Sequence, residues 1–370
     1  MAFLETAAIE SLVEALPNFF SFCDLIPLQE TSVENRTIHA VKLSAGEATD
    51  RPGVLLIAGV HARELVNPDM VLTLAFNLSL AYRDNRGLSF GGFSIPADEL
   101  RQIMEGLDIF LLPLVNPDGR SFALASPSPF NRLWRRNRSQ NPATPDPSCQ
   151  GVDLNRNFDF LWSTGIGSSA DPCNRSQIYK GPQAFSEPET RNIRSLLLDF
   201  PQIRCFVDVH SYSELILYPW GDDDNQSIDP SMNFQNPAFD GLRGVSQDAD
   251  YREFIPETDL SEFIATAIVA RDAIEAVRGR RYIVQQGVGL YPTTGTSSDY
   301  AYSLLFTDMG RRILGFTFET GREFQPPDDE TQAIIAEGQA GLIALCGHFL
   351  AMETGDVPSP EGGDVEPPVS

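Results

Sequence analysis

The sequence predicts an α/β fold: a single domain with a mixed, mostly parallel, twisted sheet and helices on both faces. Short apolar runs rich in β-branched and aromatic residues alternate with longer segments whose apolar residues recur at helical spacing. Strands that alternate with helices build a sheet whose faces are largely covered. No internal repeat and no linker divides the chain, so we expect one domain over residues 1–355 and a tail over 356–370.

Each predicted element rests on its own local pattern. The predicted strands are residues 37–43, 54–58, 109–115, 203–209 and 313–318. The predicted helices are a first one that ends near Phe20, then residues 68–82, 187–200, 260–277 and 330–352. The loop-rich stretch 126–183 is too long for a simple connection, and loops of that length usually shape a site. The last residues are rich in Pro, Gly and acidic residues, which predicts a disordered tail.

The charge balance excludes some partners. The chain carries 27 basic and 51 acidic residues, for a net charge of -24. Such a field repels nucleic acid and anionic membrane surfaces, so we expect neither as a partner. We also expect a monomer. No run reaches the roughly 18 uncharged apolar residues that span a bilayer. The N-terminus lacks the positive region of a secretory signal, so we expect the cytoplasm by default; a leader that has already been removed is the alternative.

Two of the four histidines follow predicted strands. His61 comes after VLLIAGV and precedes Glu64 by three residues, a spacing that puts both side chains on one side of a helical turn. His210 ends the run CFVDVH. Two His and one Glu at the ends of two strands could form a catalytic zinc site with one position open for water. The alternative is that these histidines are ordinary polar residues at strand ends and bind no metal. His39 and His348, in an alternating strand and an apolar helix, read as structural.

Arginines cluster within the long loop region. NRLWRRNRS covers residues 131–139, and GVDLNRNFD follows with Asn155 and Arg156 adjacent. In a chain this acidic, clustered Arg indicates a local anion site or internal salt bridges. Because Arg binds carboxylate with two hydrogen bonds, the free carboxylate of a peptide C-terminus is a fitting guest. For Arg136 and Arg138, surface ion pairs are the alternative.

Two more side chains are candidates for chemistry. The run ILGFTFE ends in Glu319, which at a sheet edge beside a metal would be a candidate general base. Tyr291 opens the Gly- and Thr-rich stretch YPTTGTSSDYAY, which we interpret as a mobile flap that carries a phenol.

The five cysteines cannot all be paired with one another. Cys205 and Cys346 lie in apolar runs, where a buried free thiol is the usual state. Cys149 and Cys173 lie in polar loops, where a bridge is feasible.

The ordered motifs resemble one family. GVHARE, RLWRRNRS, GVDLNRNFD, HSYSE, YPTTGTSSDYAY and FTFE occur in the order of the zinc carboxypeptidases of the carboxypeptidase A/B type. YKGPQAFSEPET is also similar to that family, and the resemblance covers about residues 12–352. It implies an exopeptidase that removes single residues from peptide or protein C-termini and holds one Zn²⁺ per chain.

The resemblance implies a role for each residue that matches a metal-binding or catalytic position of the family. The matches to the zinc ligands are His61, Glu64 and His210. Glu319 matches the base that takes a proton from zinc-bound water and later passes it to the leaving amine. Arg135 matches the residue that stabilises the tetrahedral oxyanion.

The resemblance also implies residues for substrate. Asn155 and Arg156 match the clamp for the terminal carboxylate, and Tyr291 matches the tyrosine that closes over it. Arg63 and Tyr212 match positions along the substrate groove. Cys149 and Cys173 match a family disulfide, which would fit a secreted or periplasmic form.

Specificity follows from the pocket positions that the resemblance identifies. The position that is acidic in members specific for basic residues is Ser298 here. Together with Leu217 and Thr317, also matched to the pocket, this predicts a preference for neutral, apolar C-terminal residues. Gln286 matches a position that is usually apolar, so a broader or more polar pocket is the alternative.

Two other functions fit the same pattern less well. One is a hydrolase of the same fold that cuts peptidoglycan peptides or deacylates an amino acid. The presence of Arg135, Asn155, Arg156 and Tyr291 favours an ordinary peptide C-terminus instead. The other is a binding protein without activity, which we would expect to lack the base or a metal ligand.

Overall fold

A computed structural model describes residues 3–356, so all but the first residue of the predicted tail lies outside the described part. The main sheet has eight strands. They are β1 (Cys23–Pro27), β2 (His39–Leu43), β3 (Gly53–Ala58), β6 (Asp108–Leu112), β7 (Ile203–His210), β8 (Leu215–Tyr218), β11 (Ile283–Gln286) and β12 (Leu314–Glu319). Two small sheets pair β4 (Leu88–Phe90) with β5 (Phe93–Ile95) and β9 (Asn225–Gln226) with β10 (Glu253–Phe254).

Helices surround the main sheet. They are α1 (Thr6–Phe19), α2 (Val66–Arg83), α3 (Ala97–Gly106), α4 (Pro117–Leu124), α5 (Pro129–Arg132), α6 (Pro188–Asp199), α7 (Glu257–Arg278), α8 (Ser297–Ser303) and α9 (Asp328–Thr354). The sheet order is β1-β2-β6-β3-β7-β12-β8-β11. The predicted α/β class with a mixed sheet is confirmed.

The centre of the sheet is parallel and its flanks are partly antiparallel. β6, β3, β7 and β12 lie side by side and run in one direction. β2 runs against β6 and β8 runs against β12. The carboxyl ends of three adjacent central strands therefore meet at one edge, which is where α/β proteins place their sites.

Burial explains which strands the sequence predicts. All six residues of β3 are buried, and so are seven of the eight residues of β7. Strands with both faces covered are continuous apolar runs, and all five predicted strands are present. β11 is different, because IVQQ has no fully buried residue. β1 and β11, the two edge strands, lack that pattern and were not predicted. β8 was also missed, because its apolar run LILY is only four residues long.

Helix α9 is the core helix of the fold. By length and hydropathy alone it could cross a membrane, but 67% of its most apolar window is buried inside the protein, as in a core helix. It packs closely on α2, since a Cβ at Gly338 would lie 2.1 Å from Met70 Sδ. Within it, the buried carboxylate of Glu337 accepts from Arg278 Nε and from Tyr282 OH.

The long loop region 126–183 contains one disulfide, between Cys149 and Cys173. The bridge confirms the expected pairing. Cys205 and Cys346 are buried free thiols, also as predicted, and Cys23 is a third. The interpretation of Arg136 as a surface ion pair is wrong. Its side chain is buried and donates to backbone carbonyls across the loop region, at Gln150, Gly151, Pro172, Ser148 and Asn174.

Candidate active site

Three adjacent parallel strands end in the residues of the candidate site. His61 follows β3, His210 is the last residue of β7, and Glu319 is the last residue of β12. Glu319 and His210 are register partners in the β12–β7 ladder. Glu64 lies two residues before α2, so the turn from β3 into that helix brings it back toward the sheet edge.

His61, Glu64 and His210 form one buried cluster. One ligand atom from each lies within 4.8 Å of the other two, and this is the one such group among residues 3–356. His61 Nδ1 is 2.8 Å from Glu64 Oε1, and His210 Nδ1 is 3.1 Å from Glu64 Oε2. The two Nδ1 atoms are 3.0 Å apart. Two imidazole nitrogens and one carboxylate are a donor set that fits Zn²⁺ with a coordination position left over.

The outer nitrogen of each histidine contacts a buried aspartate. His61 Nε2 is 3.1 Å from Asp153 Oδ1, and His210 Nε2 is 2.9 Å from Asp208 Oδ2. An Nε2–H that donates to a carboxylate leaves Nδ1 with a free lone pair, which is the state that binds a metal. Neither aspartate was predicted from the sequence. Asp208 precedes His210 by two residues, and this spacing within one strand was the available signal.

Burial and charge shift the pKa values in the cluster. Burial and the nearby Arg135 lower the pKa of His61, which favours the neutral imidazole. Burial acts the same way on His210, but Asp208 and Glu64 outweigh it and raise its pKa well above the usual value. Burial would raise the pKa of Glu64, but the two histidines outweigh this effect and lower it. Glu64 is therefore ionised and attracts a cation into the cluster.

The carboxyl group of Glu319 lies beside this cluster in a desolvated position. Burial raises its pKa to about 8; the charge of Glu64 adds to the increase, and His210 opposes it. A carboxyl group whose pKa lies in this range can both take and give a proton near neutral pH.

Arg135 reaches the site from the long loop region. Its Nε donates to Asp153 Oδ2 at 2.8 Å, and its backbone carbonyl accepts from Ala62 N at 3.0 Å. The charge of Asp153 outweighs burial and raises the pKa of Arg135. A permanent cation is thus held on the aspartate that also holds His61.

Asn155 and Arg156 lie next to the cluster of His61, Glu64 and His210. Asn155 Nδ2 is 3.4 Å from His210 Nε2, and Asn155 Oδ1 accepts from Ser297 N at 2.9 Å. Arg156 is buried, and its Nε donates to Gly167 O at 2.8 Å. Its Nη2 lies 3.2 Å from the hydroxyl of Tyr291, whose side chain is 46% exposed. The guanidinium and the exposed phenol therefore meet at the surface of the site.

Arg63 and Tyr212 both contact one aromatic ring, that of Phe324, which was not predicted from the sequence. The guanidinium of Arg63 lies 4.1 Å from the ring centroid of Phe324, and Tyr212 packs edge-on against the same ring at 4.8 Å. Phe324 lies in the segment after β12, five residues beyond Glu319, where a single aromatic in a polar loop gave no pattern to recognise.

Leu217, Thr317 and Ser298 come together beside Glu319. Leu217 and Thr317 are register partners of β8 and β12, and Thr317 Oγ1 is 3.1 Å from Ser298 Oγ. The amide of Gln286 is occupied elsewhere: its Nε2 contacts the carbonyls of Trp220 and Asp223, and its Oε1 accepts from Asn225 N. The side chain of Gln286 therefore holds the segment after β8 in place through these hydrogen bonds.

Comparisons with known proteins agree with this geometry. The family model "Zinc carboxypeptidase" matches residues 7–341. The chain is 30% identical over 315 residues to a "Carboxypeptidase B" of the crayfish Astacus astacus, covering 82% of this chain and 84% of the relative. It is also 30% identical to mouse "Carboxypeptidase A4", over 77% of this chain but 54% of that relative.

A solved structure shares the fold. Carboxypeptidase A from Helicoverpa armigera superposes with a TM-score of 0.73 at 22% identity, over 95% of this chain and 75% of that one. Since the family model covers nearly the whole described length and a relative matches over most of both chains, this chain belongs to the zinc carboxypeptidase family.

Proposed function

We propose that the protein is a zinc-dependent exopeptidase that removes single C-terminal residues from peptides. The observation that supports this most is the contact between two sets of residues. The cluster of His61, Glu64 and His210 adjoins the Asn155–Arg156 pair, with 3.4 Å between Asn155 Nδ2 and His210 Nε2. Arg156 directly follows Asn155, and its buried guanidinium can bind a carboxylate. A metal ion held close to it would act on a peptide bond one residue from a free C-terminal carboxylate.

We propose that His61, Glu64 and His210 hold one Zn²⁺. When bound, zinc would supply Lewis-acid polarisation of water and of the scissile carbonyl. Asp153 and Asp208 keep both Nδ1 atoms directed into the cluster. The buried negative charge of Glu64 lowers the free energy of any divalent cation placed there.

Glu319 carries out the proton transfers, and Arg135 stabilises the negative charge of the oxyanion. Glu319 accepts a proton from the attacking water and returns it to the leaving amine, which its intermediate pKa allows. Arg135 provides a fixed positive charge for the oxyanion that forms, at a typical contribution of roughly 3 kcal/mol. Its contact with Asp153 holds the guanidinium in place before substrate arrives.

Substrate binding falls to the residues around the cluster. Arg156 and Asn155 bind the terminal carboxylate, and the exposed Tyr291 closes over it. Arg63 and Tyr212, together with Phe324, line the groove for the preceding residues.

We further propose that neutral, apolar C-terminal residues are preferred. Ser298 brings a hydroxyl that Thr317 already contacts, and a hydroxyl cannot neutralise a buried Lys or Arg side chain. The amide of Gln286 is used within the protein, so it adds no polar group to select against apolar residues. We also propose a monomer, with residues 1–355 as the catalytic domain.

The test is a panel of N-blocked dipeptides with free or amidated C-termini. In the wild type we expect kcat/KM to be highest for free C-terminal Phe and Leu, and hydrolysis to stop with a chelator. Equal kcat/KM for free and amidated C-termini, or a preference for Lys and Arg, would contradict the proposal.

Arg156→Ala addresses the carboxylate clamp directly. Loss of charged hydrogen bonds should lower kcat/KM for free-acid substrates by about 10- to 100-fold, with little change for amidated ones. Arg101→Ala, at a partly exposed position on α3, is the matched control and should change neither. Equal losses on both substrate types would argue against the clamp.

A further inference from the structure

Next to the proposed metal ligands, three buried polar side chains lie within hydrogen-bond distance of one another. They are Asn67, Ser211 and Thr320, which we call the Asn67 group. Thr320 Oγ1 lies 2.8 Å from Asn67 Oδ1, and Ser211 Oγ lies 3.2 Å from the same oxygen. The two hydroxyl oxygens are 3.3 Å apart. One buried amide oxygen is thus within hydrogen-bond distance of two hydroxyl groups.

Each member of the Asn67 group is close in the chain to a residue of the site. Asn67 follows Glu64 by three residues, in the first turn of α2. Ser211 directly follows His210, and Thr320 directly follows Glu319. The three segments come from distant parts of the sequence. The β7–β12 ladder holds two of them in register, and the Asn67 group joins the third, α2, to both.

Backbone contacts carry this linkage into the site. Ser211 N donates to Glu64 Oε2 at 3.0 Å, which joins the group to a metal ligand. Thr320 N donates to His210 O at 2.8 Å, and Thr320 Oγ1 also lies 3.1 Å from that carbonyl. Movement of Asn67 would therefore be transmitted to Glu64, His210 and Glu319.

We propose that Asn67 is a positioning residue. It fixes the strand ends that carry His210 and Glu319 against the helix that follows Glu64, and so sets the spacing between the metal ligands and the base. This inference rests on the proposed metal site. Partners beyond the metal ligands orient those ligands, and their loss typically costs about 10- to 100-fold in metal affinity or activity.

Thr320 offers the sharpest test, because two substitutions separate hydrogen bonding from packing. Thr320→Val keeps the shape and removes the hydroxyl; Thr320→Ser keeps the hydroxyl and removes a methyl group. Asn67→Leu removes the shared acceptor. For each variant, Zn²⁺ affinity of the apoprotein is measured by competition with a chromogenic chelator, and kcat and KM are measured with an N-blocked dipeptide.

We expect Thr320→Val and Asn67→Leu to weaken Zn²⁺ affinity by about 10- to 100-fold. We expect a similar loss of kcat with KM within about twofold, because the substrate clamp is untouched. Thr320→Ser should recover most of both quantities. Ser79→Ala is the control: Ser79 is fully buried in the same helix, and its hydroxyl has no hydrogen-bond partner in the described part of the chain.

Wild-type Zn²⁺ affinity in Thr320→Val would overturn the proposal. Equal losses in Thr320→Val and Thr320→Ser would also overturn it, since packing would then explain the effect. If Asn67→Leu fails to fold, the Thr320 pair still decides the matter. A wild type that binds zinc but hydrolyses no peptide C-terminus would refute the proposed function, while the affinity comparison would still test Asn67.

Discussion

In both His61 and His210, Nδ1 faces the other metal-ligand candidates and Nε2 contacts a buried aspartate. The contacts of Nε2 with Asp153 and Asp208 leave the two Nδ1 atoms 3.0 Å apart, too close for a stable pair unless a proton or a cation lies between them. A divalent cation held between the two Nδ1 atoms would remove this repulsion, as a shared proton would, so the geometry of the individual atoms suits the proposed metal site.

Glu319 is the residue whose chemistry is easiest to isolate. Glu319→Gln keeps the size of the side chain and removes the proton acceptor, so we expect kcat to fall by about 10²- to 10⁴-fold. Zinc content should stay at the wild-type level, because Glu319 is outside the three-residue cluster. Steady-state kinetics and elemental analysis of the same sample check both points. Glu323→Gln, at an exposed position four residues later, is the control; substantial turnover by Glu319→Gln would refute the assignment.

At the scale of elements, parallel strands explain why residues distant in sequence meet. β3, β7 and β12 are neighbours, so the residues at and just after their carboxyl ends come together. Loops then add what the strand ends lack. The loop closed by Cys149 and Cys173 contains Asp153, Asn155 and Arg156, so one covalent link holds the histidine partner and the proposed clamp.

Removing that disulfide should therefore affect both stability and substrate binding. The two cysteines are 24 residues apart, so replacing both with Ser should lower the free energy of unfolding by roughly 3 kcal/mol. We also expect KM for free-acid peptides to rise, because Arg156 is less well held. Thermal melting and kinetics check both effects. Reductant should lower the Tm of the wild type and leave the variant unchanged; the same response in both would contradict the account.

At the scale of the whole molecule, the excess of acidic residues extends into the interior. Asp222, Glu253 and Asp299 are buried, and burial raises the pKa of Glu253 and of Asp299 to about 7. Burial and the charge of Glu253 raise the pKa of Asp222 well above its usual value. Facing groups act in both directions: Asp223 raises the pKa of Asp222, Arg243 lowers that of Glu253, and Arg156 lowers that of Asp299.

These raised pKa values predict how stability depends on pH. In the unfolded chain such carboxyls lose their protons near pH 4, whereas the folded chain keeps them to about pH 7. The folded state thus binds more protons between these limits, so this contribution to the free energy of unfolding is fully present below pH 4 and is lost as pH rises through 7. Urea unfolding of apoprotein between pH 5 and 8 should show a shallower decline for Asp222→Asn. Identical slopes for variant and wild type would contradict the prediction.

The sequence predicts the central strands and the strand-end residues because both depend on local patterns. An apolar run followed by His61, His210 or Glu319 is visible without knowledge of the fold. Asp153 is not, since its contact with His61 joins residues 92 positions apart. Asn67 and Phe324 gain meaning only once the segments around them meet. The role of Gln286 also depended on its partners, which the sequence does not reveal.

The most direct test is titration of the metal-free protein with Zn²⁺ while hydrolysis of a free-acid peptide is followed. We predict that one Zn²⁺ binds per chain and that activity returns in proportion to occupancy. His210→Ala, which deletes one of the two imidazole donors, should lose both tight binding and activity. A folded protein that takes up no zinc, or one that hydrolyses the peptide fully in its metal-free form, would show that the enzyme does not depend on a zinc ion held by His61, Glu64 and His210.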